Sequence, residues 1–209
     1  MDTGMGVAME SKHPQVSVPE AFSQVPRELF LPEEERHFAS SNVPLSIGER
    51  QTNSQPSTVA DMLELLEPRP GHRVLDVGSG SGWTAALLGV LVGPRGQVTG
   101  VERHHRLIER ARASLRRLDP DTVDLSNVEI ITADPGTLGR PDAGPFDRVL
   151  VSAEAQTLPT ELIEQLRVGG VMVIPVAGEM LKVVVTGTGD HDVSITRHGQ
   201  YRFVPLIRD

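Results

Sequence analysis

The residues best suited to chemistry lie in one run, Asp76-Val77-Gly78-Ser79-Gly80-Ser81-Gly82-Trp83. Residues 73–77 read as a short buried strand and 84–92 as a helix, so the glycines fall where a strand turns into a helix N-terminus. A nucleotide-like ligand reaches the backbone there only if no side chain intervenes, which is the use of Gly78, Gly80 and Gly82. The loop thus has the form G-x-G-x-G. A dinucleotide fingerprint would need glycine where Trp83 stands, and no Gly-Lys-Ser/Thr follows, so neither NAD nor P-loop chemistry is favoured. Asp76, just before the glycines, suits a ligand carrying an ammonium better than one carrying a pyrophosphate. Glu102 closes the next strand and can accept hydrogen bonds from both hydroxyls of a ribose. Asp134 follows the third strand and can accept from the exocyclic amine of an adenine.

Three acids at the ends of three successive strands need a sheet to bring them together. Strands are expected at 73–77, 97–101, 128–132, 148–152 and 171–176, alternating with helices at 57–66, 84–92 and 106–118 and around Leu162, Ile163 and Leu166. That alternation predicts an α/β fold with a mostly parallel sheet. Segments 182–186, 193–197 and 202–206 follow one another as strands with Gly-containing turns, which predicts an antiparallel C-terminal end. Pro19 opens one short helix, and Pro32-Glu33-Glu34-Glu35 a second with acids at its positive end. Residues 40–55 show neither helical nor strand character, and such a long irregular segment points to function. Residues 1–15 read as a flexible tail. Residues 16–209 read as one domain, with helices and a ligand loop at 16–56 and the α/β core at 57–209.

Composition narrows the partners. The 209 residues carry 28 acidic against 20 basic side chains, a net charge of −8, which argues against general affinity for nucleic acid or anionic membrane. The chain has 0 cysteines, which removes thiolate nucleophiles and Cys-type zinc sites, and no metal is expected. No stretch resembles a signal peptide or a membrane span, so a monomer in the cytoplasm is expected. His104-His105 reads as a solvated helix start, because adjacent residues on a helix do not face the same way. Arg103, Arg106, Arg110, Arg112, Arg116 and Arg117 read as a solvated basic face. Trp83 reads as packing beside the ligand. Glu154 fits either a solvated loop acid or a substrate contact.

A ligand with an amino-acid end, a ribose and an adenine, and no phosphate, is S-adenosylmethionine. The sequence resembles the protein-L-isoaspartate O-methyltransferase family over roughly residues 17 to 207. The resemblance is carried by residues 21–32, by Pro44-Leu45-Ser46-Ile47-Gly48, and by Gln51-Thr52-Asn53-Ser54-Gln55-Pro56. It continues through the glycine loop, Pro145-Phe146-Asp147, Gly169-Gly170 and Arg202-Phe203-Val204-Pro205-Leu206. It implies a Rossmann-like class I methyltransferase fold and methyl transfer from S-adenosylmethionine to the side-chain carboxylate of L-isoaspartyl residues in damaged proteins. The ester then collapses unaided to a succinimide.

The resemblance makes Ser54 the active-site serine. It implies cofactor contacts from Thr52, Asp76, Gly78, Ser79, Gly80, Gly82, Glu102, Arg103, Asp134 and Pro135. Substrate contacts fall to Asn53, Gln55, Ser57, Arg202 and Val204. Five positions depart from the family pattern: Asn53 replaces isoleucine, Ser57 an aromatic or histidine, Ala133 and Pro135 two glycines, and Glu154 a small residue. Relatives that methylate an aspartate of a ribosomally made peptide often carry a further C-terminal domain, so the length here favours repair. A non-catalytic S-adenosylmethionine-binding module would keep the glycine loop and block the groove at Ser54.

Overall fold

A computed structural model describes residues 15–189 and 192–207. Fourteen of the fifteen residues expected to form a flexible tail lie outside that range.

The chain opens with helix α1 (Val18–Gln24), set by a capping box in which Ser17 and Glu20 satisfy each other's backbone N–H groups. Two 3₁₀ turns follow, Arg27–Phe30 and Glu33–Phe38. The second takes the place of the α-helix expected from its acidic start. Residues 40–55 are not irregular throughout: β1 (Leu45–Gly48) and β2 (Gln51–Asn53) pair antiparallel as a hairpin.

The core then runs α2 (Pro56–Leu66), β3 (Arg73–Val77), α3 (Trp83–Val92), β4 (Gln97–Glu102), α4 (His105–Leu115) and β5 (Val128–Thr132). It continues with β6 (Phe146–Val151), α5 (Thr160–Ile163), β7 (Leu166–Val176), β8 (Glu179–Val185) and β9 (Val193–Gln200). Leu166 therefore belongs to a strand and not to the helix expected around it.

One seven-stranded sheet has the order β5-β4-β3-β6-β7-β8-β9. The strands from β5 to β7 are parallel, and β8 and β9 add antiparallel at one edge. The expected third strand at the end is absent. Segment 202–206 runs beside residue 154 and makes an isolated parallel bridge between Glu154 and Pro205.

Helix α3 is apolar on every side, and nine of its ten residues are buried. That pattern fits a helix enclosed by protein on all faces. Gly82, at its N-cap, has φ +82°, and a Cβ there would lie 2.9 Å from the Ala111 Cβ. Glycine at this position lets α3 pack against α4.

Candidate functional site

The sheet order reverses at β3, whose chain continues to β4 on one side while β6 lies on the other. Open α/β sheets bind ligands beyond the strand ends at such a point. A cleft of about 730 Å³ lies there, walled by the loop after β3, the ends of β4, β5 and β6, the hairpin and the C-terminal segment. Sequence-distant pieces thus meet in one cavity. Thr52, Asn53 and Ser54 come from the hairpin, Gly78, Ser79 and Gly80 from the loop, and Glu102, Arg103, Asp134 and Pro135 from the next two strand ends. Val204 comes from the C-terminal segment.

Gly78 and Gly80 have φ +76° and +52°, a conformation that turns the loop's backbone and that side chains resist. Glu102 is 5% exposed and already holds backbone: its Oε2 accepts from Gly80 N at 3.0 Å, and its Oε1 from His104 N at 2.8 Å. Each carboxylate oxygen keeps a further lone pair for a ligand hydroxyl. Asp134 is exposed and pairs with Arg140 at 3.6 Å.

Asp76 lies behind the cleft and does not line it. The side chain is fully buried, and neither oxygen makes a hydrogen bond of good geometry. Burial, aided by the charge of Glu102 and opposed by the Ser152 hydroxyl, pushes its carboxyl up to about 7. The Ser79 hydroxyl is likewise buried without a partner. The orphaned Ser79 hydroxyl in the lining and the spare lone pairs of Glu102 fit a polar ligand with a ribose, while the orphaned Asp76 carboxyl lies behind that lining.

Four other expected residues stand off the cleft. Gly82 packs against α4, as described. Gln55 donates to the Ser57 hydroxyl at 3.1 Å, and the Ser57 N–H donates to Asn42 at 3.0 Å, so this pair closes on itself at the start of α2. Arg202 is exposed and outside the cavity lining. Glu154 proves to be an anchor for the C-terminal segment. Its N–H donates to Val204 O at 2.8 Å, and its carbonyl accepts from Leu206 N at 2.7 Å. Trp83 packs away from the cleft, its Nε1 donating to Val25 O at 3.1 Å and its ring edge-on to Phe22.

The basic helix is only partly a solvated face. Arg110 donates to Ile47 O at 2.9 Å, and Arg112 to Ile130 O at 2.9 Å and 2.6 Å. His104 and His105 each face a separate glutamate, Glu49 at 3.9 Å and Glu109 at 3.8 Å. Among the described residues no group of three or more His, Asp or Glu side chains could hold a metal.

Sequence reasoning passed over Arg27, which is 4% exposed. Its Nε donates to Asn53 Oδ1 at 2.7 Å. Its two terminal nitrogens donate to carbonyls of residues 39, 41, 43, 53 and 54 at 2.9–3.3 Å. Gln165 was also missed: its amide donates to Leu138 O and Glu161 O, both at 2.8 Å, and accepts from Arg140 N at 2.7 Å. It thereby shapes the cleft's far wall. Neither residue sits in a pattern that announces it. Ser152 had a signal, because it stands where a strand stops, as Glu102 does.

The family described as protein-L-isoaspartate(D-aspartate) O-methyltransferase matches residues 9–209. A protein-L-isoaspartate O-methyltransferase of Ignicoccus hospitalis is 45% identical over 197 residues, covering 92% of this chain and 89% of that protein. One from Methanothrix thermoacetophila is 47% identical over 190 residues, covering 91% and 87%. A crystal structure of a Plasmodium falciparum beta-aspartate methyltransferase in complex with S-adenosyl-L-homocysteine gives a TM-score of 0.80 at 24% identity, over 92% of this chain and 90% of that one. This last likeness speaks for the fold alone. With a match that spans both walls of the cleft and the sheet between them, the chain belongs to the protein-L-isoaspartate(D-aspartate) O-methyltransferase family.

Proposed function

We propose that the cleft transfers a methyl group from S-adenosylmethionine to the side-chain carboxylate of L-isoaspartyl residues in proteins or peptides. The observation that carries this reading is the meeting of Ser54 and the glycine loop across one cavity, from segments more than twenty residues apart in sequence. S-adenosylmethionine supplies an electrophilic methyl on a sulfonium that becomes a neutral thioether. A carboxylate is already ionised near pH 7, so the nucleophile needs no general base, and a neutral leaving group needs no general acid. What the protein contributes is alignment, which lowers the barrier by several kcal/mol when the reacting atoms are held in line.

Each wall has a part in that alignment. Gly78 and Gly80 let the backbone approach the cofactor, and Glu102 accepts from its ribose. Ser54 donates a hydrogen bond that aims the substrate carboxylate without neutralising it, whereas a full cation would stabilise the ground state more than the transition state. Thr52, Asp134, Pro135 and Arg103 border the cofactor and Val204 the peptide. Residues 16–209 act as one domain, in the cytoplasm, on protein or peptide partners and as a monomer. Among the described residues no helix is long and apolar enough to cross a membrane.

The test is incubation with S-adenosylmethionine and matched isoaspartyl and aspartyl peptides, followed by mass spectrometry for ester and succinimide. Methylation confined to the isoaspartyl peptide is the expected result. Methylation of the aspartyl peptide alone, or of neither, overturns it.

A further inference from the structure

The hairpin that carries Ser54 has little to hold it. Its strands are four and three residues long, pair only with each other among the described residues, and shift register between Ser46 and Gly48. A lone two-stranded hairpin is marginal in water. Its apolar support is a small cluster of Leu31, Leu45, Ile47 and Leu107. Polar ties must therefore fix where Ser54 stands.

Arg110 holds the first strand through Ile47 O, and at the Ser54 end the ties converge on Asn53. The side chain is 5% exposed; its Oδ1 accepts from Arg27 Nε at 2.7 Å and its Nδ2 donates to Ser81 Oγ at 2.9 Å. Ser81 is 8% exposed and belongs to the glycine loop. Arg27 Nη2 meanwhile donates to the carbonyls of Asn53 and Ser54, at 3.2 Å and 2.9 Å. The guanidinium stands 5.4 Å from the centre of the Trp83 ring at the start of α3. One buried cation and one amide thus connect the serine's backbone to the loop that receives the cofactor. The amide's oxygen and nitrogen each hold one partner within the protein, which ties Asn53 to both sides of the cleft.

We propose that Asn53 is a positioning residue: held by Arg27 and bonded to Ser81, it fixes Ser54 relative to the glycine loop, so that ordering of the cofactor loop and ordering of the substrate hairpin are one event. The inference rests on the reading of Ser54 and the glycine loop given above. Coupling of this kind is reciprocal, and a ligand that orders the loop must also order the hairpin.

Three variants test it: Asn53→Leu, which removes both bonds; Ser81→Ala, which removes one; and Asn53→Asp. Aspartate can accept from Arg27 with one oxygen and from the Ser81 hydroxyl with the other, so it restores the chain of bonds. With saturating S-adenosylmethionine, kcat on an isoaspartyl peptide falls at least tenfold in N53L and about fivefold in S81A. It stays within threefold of wild type in N53D, and the N53L/S81A double variant is no slower than N53L. Calorimetric Kd for S-adenosylhomocysteine changes less than fivefold throughout.

The second readout needs no turnover. S-adenosylhomocysteine slows amide hydrogen exchange of residues 45–54 in wild type and N53D, and much less in N53L and S81A. Losses that multiply in the double variant, an N53D as slow as N53L, or equal protection of the hairpin in all four proteins overturn the inference. A wild-type protein that leaves isoaspartyl peptides untouched but shows the expected exchange pattern overturns the proposed substrate and supports the coupling.

Discussion

Replacing Glu102 with glutamine changes almost nothing in shape and takes away the charge and one acceptor. The carboxylate receives two backbone N–H groups, from Gly80 at 3.0 Å and His104 at 2.8 Å. An amide can accept from only one of them and must turn its own N–H₂ toward the other. A hydrogen bond to a charged group contributes about 1.5–3 kcal/mol, and a buried donor left facing a donor costs a similar amount. The same deficit applies to a ribose, because both hydroxyls seek acceptors and glutamine offers one oxygen. A loss of about 1.5–3 kcal/mol in binding corresponds to roughly tenfold to hundredfold weaker affinity.

The stability of the free protein is a poor readout, since two effects oppose each other there. Lost hydrogen bonds destabilise Glu102→Gln, while relief of the repulsion that helps raise the Asp76 pKa stabilises it. Binding carries no such cancellation. Titration calorimetry with S-adenosylhomocysteine is therefore the assay, and Glu102→Gln should raise Kd roughly tenfold to hundredfold, with Glu102→Ala at least as weak. Turnover at saturating cofactor should fall much less. A Kd within twofold of wild type in both variants would refute the assignment of Glu102 to the ribose.

Ser54→Ala removes a hydrogen bond to the ionised substrate, so kcat should drop about tenfold to hundredfold while cofactor Kd is kept; unchanged turnover removes Ser54 from the chemistry. Gly82→Ala meets strain at φ +82° and a Cβ contact of 2.9 Å, so it should lower stability by roughly 2–4 kcal/mol, or a Tm fall of about 5–15 °C. Because Gly82 does not line the cleft, the folded variant should bind S-adenosylhomocysteine normally, and weak binding with an unchanged Tm contradicts this. Asp76 gives a pH dependence with a definite sign. Its carboxyl, at about 7 in the folded protein, stays protonated where the unfolded chain has released the proton. Stability contributed by that group therefore falls as pH rises from about 4 and levels off above 7. Urea unfolding at pH 5 and pH 8 should show a loss in wild type that is much smaller in Asp76→Asn, and parallel losses in the two proteins exclude the role.

The sheet was legible where strands are continuous apolar runs with clear stops: β3 and β5 run over 73–77 and 128–132 as expected. It was less legible where glycine interrupts the run. The Gly169-Gly170 pair lies inside β7, and expecting the strand to begin after it shortened the element by five residues. The hairpin escaped notice for a different reason. Three- and four-residue strands are too short to show alternation, and their turn places Glu49 and Arg50 at φ +51° and +59°, which those residue types do not advertise. At the C-terminus, the Val-Pro-Leu segment looked like a strand but takes only the isolated bridge at Pro205.

The site divides along the same physical line. Glycines and acids at strand ends are tied to the sheet by local sequence, so Glu102 and the loop were readable from spacing. Arg27 was not, because the five carbonyls it serves belong to residues 39–54, which only the folded chain brings around it. A buried cation with no carboxylate among those partners is costly, and burial lowers its pKa to about 10, leaving it charged at neutral pH. Its stability depends on every one of those carbonyls staying in place. That dependence makes it a suitable clamp: displacing the Ser54 backbone takes one acceptor from a buried charge. The proposed reaction needs no general base, only Ser54 held in register with the glycine loop, and so places its demand on such a clamp and not on a catalytic dyad.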